Sequence, residues 1–397
     1  MAASASVWVV PPTPNSWRPD TFQPPFCPYR DCEHHYEQPR IRWFQSVGSH
    51  RTKAFGLVPR FRCTACGRTF SLQTFSIDYY AKKILPYERI ESLASSSMSL
   101  RSLARELIAS CGSVQNRLDR LSRQGIALHS LLRPRAALHE SVCFDGLVSF
   151  DRSQYYPSDI GLSISSRSRF ILGLSHATTR RSGALSEAQR DRIESVYEGN
   201  EFEKKAVERS FSEHLDLLAE EDRDSHGRPL IIVTDEKLEY VRALHAHQLC
   251  LGQDERHRCA QLQVSSTLPR TYANPLFASN YLDREIRKDQ ANHRRESTCY
   301  SRNAANSMTR LASYLVWHNY KKRYLIKWPV DRNETHAEMA GIGRSVLEQG
   351  RTMMFTRRAF LSRLSLSAID LWLWMKRVYD PIAGHPTIGY LPKYAFG

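Results

Sequence analysis

No stretch of this 397-residue chain approaches the roughly 18 consecutive apolar residues of a membrane-spanning helix, so a helical span is not expected. Met1 to Val10 has no basic residue and too short an apolar core for a signal peptide. The expected compartment is therefore the cytoplasm, and the nine cysteines are expected as thiols rather than disulfides. Acidic residues are in deficit. The 41 Asp and Glu face 56 Lys and Arg, which leaves a formal net charge of +15. That balance favours a polyanionic partner, nucleic acid first. Residues 1–25 have few charges and no hydrophobic period, and their prolines suggest a flexible arm.

What charge there is lies unevenly. Residues 1–140 carry 19 basic against 10 acidic side chains, and residues 284–327 carry 11 against 3. Between them, residues 186–225 carry 6 against 13. Two basic regions thus flank an acidic one, which implies separate surfaces rather than a uniformly basic coat.

Cys27 and Cys32 form a C-x4-C pair, and Cys63 and Cys66 a C-x2-C pair some thirty residues later. In a reducing compartment this spacing suits a tetrahedral structural zinc ion with four thiolate ligands, in a ribbon over residues 26–76. Gly67 lets the second knuckle turn tightly. His34 and His35 are the alternative ligands should Cys32 not bind. Arg40, Arg42, Arg60, Arg62 and Arg68 would give the ribbon a basic face, with Arg68 a candidate DNA contact.

Residues 80–135 read as helices. Tyr87 to Ser95 is one, and Ser99 can cap a second, from Leu100 to Ser110. Cys111-Gly112-Ser113 reads as a turn, and Val114 to Gln124 as a third helix with Val114, Leu118 and Leu121 inward. Gln115, Arg117 and Arg120 on its other sides are then candidate DNA contacts of a helix-turn-helix. A helical hairpin with a solvated polar face is the plainer alternative.

From residue 138 the pattern changes. Strands are expected at Ser141–Leu147, Asp159–Ser166 and Arg169–Leu174, with gaps short enough for an antiparallel meander. An acidic helical insertion follows at 186–225. Then Leu230-Ile231-Ile232-Val233-Thr234 runs apolar and β-branched up to Asp235, as strands buried on both faces do. A helix to Gln248, a strand Gln261–Ser265 and helices Tyr281–Glu296 and Asn303–Tyr320 complete the order β-β-β-α-β-α-β-α. This is an α/β class, and the order matches a ribonuclease H-like mixed five-stranded sheet with helices on both faces, over residues 138–325. In such a sheet the first and fourth strands are neighbours, which brings Asp145 towards Asp235. A third acid, Asp283 or Glu285, would come from the Leu282 helix. Three converging carboxylates would hold Mg²⁺ or Mn²⁺, two ions about 3.5–4 Å apart suiting in-line attack on a phosphodiester. Asp151 and Glu236 are read as structural acids. Residues 326–397 are basic and aromatic and read as a C-terminal tail that binds DNA or a second copy.

The chain resembles insertion-sequence transposases with an acidic-triad, ribonuclease H-like core preceded by a zinc ribbon and a helix-turn-helix. The segments that carry the likeness are Phe61 to Ser71, Asp145-Gly146, Thr234-Asp235, Leu282-Asp283-Arg284, Ser297 to Asn303, Trp317 to Tyr320 and Thr335 to Gly341. The resemblance implies Asp145 and Asp235 as the first two metal ligands. It puts the third on Asp283, where the family usually has Glu; Glu285 lies about 200° further round the helix. Arg287 and Lys288 would then hold a DNA phosphate beside the metals. The implied activity is DNA transposition: metal-dependent strand cleavage, then joining of the freed 3′ hydroxyl to target DNA, by at least a dimer on element ends. A transposase-derived DNA-binding regulator without catalysis, and a structure-selective nuclease without joining, are the rival expectations.

Overall fold

A computed structural model describes residues 22–36, 42–136, 139–220, 229–251, 259–294 and 299–387. Most of the expected arm, Arg40, residues 221–225, Arg295 and the Ser297-Thr298 segment lie outside them.

The first unit is a ribbon. A one-turn helix α1 (Glu33–Tyr36) precedes an antiparallel sheet of β1 (Phe44–Thr52), β2 (Gly56–Cys63) and β3 (Thr69–Ser71). So small a sheet buries little, and aromatic rings make up the deficit. Phe22, Phe26, Trp43, Phe61, Phe70 and Phe75 form its core. One member comes from the far end of the chain: Phe360, buried, with its ring centroid 5.1 Å from that of Phe26.

Helices α2 (Tyr87–Ala94), α3 (Leu100–Glu106) and α4 (Cys111–Leu132) follow. Ser99 caps α3 as expected, accepting from the Ser102 N–H. The turn expected at Cys111–Ser113 is instead the first turn of α4, because Ser110 is the residue whose side chain caps it. The helix also continues two turns beyond Gln124. Gly125 permits this, since an added Cβ would lie 2.7 Å from Val316 Cγ2 of a helix that crosses there.

The length of α4 overturns the expected reading surface. Arg117, Arg120 and Arg123 are buried, at 3–4 % exposure, against parts of the chain before and after α4. Arg117 donates to the Lys83 carbonyl, and Arg120 to the carbonyls of Ile77 and Tyr79 at 2.6 and 2.7 Å. Arg123 donates to the Trp374 carbonyl. Gln115 donates to Asp119, which in turn receives Lys376 at 3.0 Å. Arg117 and Arg120 are therefore positioned to hold the core together, not to face a DNA groove, while Gln115 stays half-buried beside Asp119. Arg120→Ala strands two buried carbonyls and removes a long apolar stem. It is expected to cost about 2–4 kcal/mol of stability, read as a lowered denaturation midpoint.

The central sheet is mixed, in the order β6-β5-β4-β8-β9. Its strands are β4 (Val142–Phe150), β5 (Pro157–Ser165), β6 (Ile171–Leu174), β8 (Leu230–Thr234) and β9 (Cys259–Gln263), and a two-residue β7 (Ala177–Thr178) adds to β5. The first three form the antiparallel meander read from the short gaps. β8 lies parallel to β4 with Val142 opposite Ile232 and Cys143 opposite Val233, and β9 lies parallel to β8.

Alternation along β4 sorts its neighbours. Phe144 stacks on Phe211 and Tyr240, with centroids 4.5 and 5.0 Å away, which places α6 (Ala206–Glu220) and α7 (Leu238–Ala246) on one face. Helix α6 is thus part of the sheet's cover. Within the acidic stretch, α5 (Glu187–Tyr197) is the helix that buries nothing. On the other face, Cys143 lies 3.3 Å from the Pro275 carbonyl and Ser149 Oγ 2.9 Å from His293. These two contacts bracket α9 (Phe277–Asp289). After the short α8 (Gln248–Leu251) and α9 comes α10 (Ala304–Tyr320), which packs along α4.

Residues 326–387 are not a tail. They form α11 (His336–Met339), α12 (Arg344–Thr356), α13 (Ala368–Trp374) and the two-residue strands β10 (Tyr379–Asp380) and β11 (His385–Pro386). Met354 and Trp374 sit in the same hydrophobic core as Ile90, Leu121 and Phe144. The basic residues between them had masked a helical apolar pattern. The helix-turn-helix segment, the sheet and the C-terminal helices therefore share one core rather than separate domains.

Candidate functional sites

Two groups of side chains stand out. The first is the cysteine set. The Sγ atoms of Cys27, Cys32, Cys63 and Cys66 all lie within 4.8 Å of one another. Cys27–Cys66 and Cys32–Cys63 are 3.8 and 3.7 Å apart. Thiolates about 2.3 Å from a tetrahedral zinc ion would be about 3.8 Å from each other, so the donor set fits that ion. β2 delivers Cys63, and the turn after it delivers Cys66. Gly67, in the left-handed region at φ 68°, sends its N–H back to the Cys63 carbonyl. His35 is not a ligand here: its ring is committed to the Cys27 carbonyl and to Ser362 Oγ, at 2.7 and 2.8 Å. Burial pushes the Cys27 thiol up, and the other cysteines add to that. Burial also raises Cys66, but hydrogen bonds from Arg68 outweigh it and bring that thiol down to about 7. Arg68 stacks over Tyr29 and pairs with Asp31 at 2.6 Å. It serves the cysteine knuckle while its side chain stays 39 % exposed.

The second group surrounds the end of β8. Thr234 is the last residue of that strand, and Asp235 follows it, level with Asp145 in the parallel register. The alternation that points Phe144 at α6 points Asp145 at the α9 face. Burial lifts the Asp145 carboxyl to about 6; the charge of Asp235 adds to the rise and Lys237 opposes it. The two aspartates therefore feel each other electrostatically, Asp145 from within β4 and Asp235 from just past the end of β8.

Helix α9 carries the third acid. Asp283 is half-buried, with Arg287 3.9 Å away one turn on. Arg287 also donates to the carbonyls of His293 and Val148. Glu285 points elsewhere: it pairs with Lys322 and with Lys288, the latter at 2.8 Å. Burial raises the Glu285 carboxyl, but Lys288 and Lys322 together hold it below its ordinary value. Lys288 is thus engaged with Glu285 on the side away from the aspartates. Of the two acids, Asp283 shares the sheet face of Asp145. The three carboxylates do not close on one another: among the described residues, the four cysteines are the one group with three or more candidate donor atoms mutually within 4.8 Å.

Two further residues belong to this neighbourhood and were not read from the sequence. Asp159 of β5 is 7 % exposed and lies 3.3 Å from Lys237 Nζ. Lys237 Nζ is also 2.9 Å from the Tyr240 hydroxyl. Burial opposes the Lys237 charge, yet Asp159, Asp145 and Asp235 together hold its ammonium above the usual range. The signal in the sequence was an acid inside an apolar strand, paired with Val148, two residues along from Gly146 on the same face. Gly146 is what admits it. A Cβ there would lie 2.6 Å from Asp159 Cγ and Oδ2, and closer still to Oδ1. Gly146→Ala should push the Asp159 carboxylate off Lys237 at a cost of about 1–3 kcal/mol, checked by thermal unfolding beside the wild type.

Cationic side chains that do face solvent lie elsewhere. Arg60 and Arg62 alternate outward along β2, and Lys83, Arg101 and Arg105 line a groove at the α3–α4 turn. Among the described residues no helix is long and apolar enough to cross a membrane. Comparison with protein-family models, with characterised proteins and with solved structures gives no match.

Proposed function

We propose that this protein is a DNA transposase whose central sheet is a ribonuclease H-like catalytic core. The observation that carries the reading is the parallel pairing of β4 with β8 at Val142–Ile232 and Cys143–Val233, which leaves Asp145 and Asp235 each two residues further along, with helix α9 carrying Asp283 over the face that Asp145 points to. Strand order supports it: an antiparallel meander whose first strand then pairs in parallel with the fourth. Carboxylates drawn together at such a site are stable when a hard cation shares them. Bound Mg²⁺ or Mn²⁺ would supply the charge that activates an attacking oxygen and neutralises the leaving one. Asp145, Asp235 and Asp283 would hold the ions. Arg287 is held beside Asp283 by the carbonyls of His293 and Val148, and a phosphate would have to draw it away from them. Water would be the first nucleophile and the freed 3′ hydroxyl the second, so no covalent protein intermediate is needed.

The zinc-bearing ribbon would grip the element ends. With Arg117 and Arg120 buried, Arg60 and Arg62 of the ribbon and Lys83, Arg101 and Arg105 of the α3–α4 groove are candidate cations to meet phosphates. Joining two ends requires at least two copies on DNA. The test is incubation with linear DNA carrying the native element ends, with Mg²⁺ or with chelator. Strand-transfer products in the first and none in the second are expected; cleavage without joining would favour a nuclease.

A second reading has its own support. Lys237 already answers part of the acid charge, and the three carboxylates are more open than a closed metal cage. A DNA-binding regulator without catalysis would keep both features. Footprints over the element ends with no metal-dependent cutting would select it.

A further inference from the structure

The central sheet has two edges, and the chain treats them differently. At one, every residue of β6 is buried. The Asn319 amide of α10 caps that edge, accepting from the Ile171 N–H at 2.9 Å and donating to the Ile171 carbonyl at 2.8 Å. At the other edge, β9 pairs with β8 along one side only. Among the described residues nothing bonds to the outer side of its backbone from Ala260 to Gln263. Exposed edges are ordinarily blunted by a charge, a proline or a bulge. Cys259-Ala260-Gln261-Leu262-Gln263 has none of these. The face beside this edge is open as well. Ile231 lies level with Ala260, and Val233 with Leu262, on the side of the sheet that Cys143 and α9 occupy. Helix α9 packs on β4 and β5, so Ile231 and Leu262 stay 43 % and 45 % exposed.

We propose that this edge is a self-association surface: β9 pairs with β9 of a second copy about a twofold axis through Gln261, making one sheet continuous across both chains. A contact of this kind between identical strands is antiparallel. Centring it on Gln261 matches all five residues. Registers shifted towards the end of the strand run into Val264, which is buried and bonded back to the Thr234 carbonyl. The centred register sets Leu262 opposite Ala260 of the other copy. Ile231 and Ala260 of one chain then continue into Leu262 and Val233 of the next as a single apolar row, which the twofold repeats. Charge selects the occupant. The strand carries none, in a chain of net charge +15. A polyanion meets no cation on it, whereas a second copy approaches it without repulsion. Five residues a side make less than a standard interface, so the dissociation constant should be on the order of 10–100 µM. DNA that holds two copies together would tighten it by raising their effective concentration. The twofold stands perpendicular to the sheet, so both copies turn their α9 faces to the same side.

The test is analytical ultracentrifugation of the full-length, zinc-loaded protein without DNA, from about 1 to about 300 µM. Wild type should pass from monomer to dimer over that range. Leu262→Lys sets an ammonium group in each apolar row and should weaken association at least about tenfold. Leu268→Lys alters a leucine that is 48 % exposed but lies off the strand, and should leave association unchanged. Gln261→Cys places a thiol on the axis, and a short bis-maleimide should join two chains through position 261, read from the linked peptide against the wild-type background. Melting temperature confirms folding, with Leu262→Gln standing in should the Lys variant fail to fold. A chain that stays monomeric at the highest concentration overturns the proposal and leaves the edge to a strand from a different protein. So does a dimer that tolerates Leu262→Lys, or one that Gln261→Cys links no faster than wild type, since either puts the contact elsewhere. The outcome is independent of strand transfer: dimers that join no DNA would uphold this inference and reject the transposase.

Discussion

Asp235→Asn should lower metal-dependent strand cleavage and joining by on the order of a thousandfold, the several kcal/mol of transition-state stabilisation that a metal site supplies. The substitution keeps shape and removes one charge, so DNA binding through the ribbon should persist within a few fold. A variant that joins DNA ends as fast as wild type would end the assignment of this site. Asp145→Asn should abolish activity likewise, and it makes a second, opposite prediction. The Asp145 carboxyl is lifted from 3.8 to about 6 in the folded chain. The metal-free native state thus holds a proton that the unfolded chain releases. Its stability falls as pH rises from about 4 to about 6 and stays low above that. Replacing Asp145 by Asn removes that penalty, so the metal-free variant should gain about 2–3 kcal/mol at neutral pH and lose the slope. Urea titrations at pH 4.5 and pH 7.5 measure both. Divalent cation should narrow the gap by stabilising the wild type alone.

The second large effect belongs to the cysteines. Removing zinc with a chelator, or introducing Cys63→Ser, should unfold the ribbon outright. Zinc bound by four thiolates contributes about 10 kcal/mol or more to small domains, beyond what six or seven aromatic rings on a three-stranded sheet can replace. The expected readouts are a red-shifted Trp43 fluorescence and new protease cuts within residues 42–75. Cuts should also appear near Phe360, since that ring packs on Phe26 and Phe75. Helix content should change little, because the main core does not pass through the ribbon. A chelated protein that keeps its ribbon protected would show that the cysteines pack without metal.

Much of this was legible in the chain. Cysteine spacing announced the ribbon, and a β-branched run ending in Asp235 announced β8. Gaps of a few residues announced the meander. What escaped has one physical origin: it depends on partners far away in sequence. Arg117, Arg120 and Arg123 read as solvent-facing because arginine heads usually need water. Here backbone carbonyls from residues 77–83 and from Trp374 take water's place. The C-terminal region read as a tail because its apolar residues are spaced for several short helices rather than one long one. Asp159 was hidden by register, since only strand pairing shows that it leans over Gly146. Asp283 and Glu285 could not be separated until Lys322 was seen to take Glu285.

Phe360 has a consequence for synthesis. The ribbon is made before Phe360, and its aromatic core is incomplete until the chain has grown almost three hundred residues further. Metal can be captured early, but the finished packing waits for the last helices. A truncated translation product would therefore expose Phe26 and Phe75 and present a ready target for proteolysis.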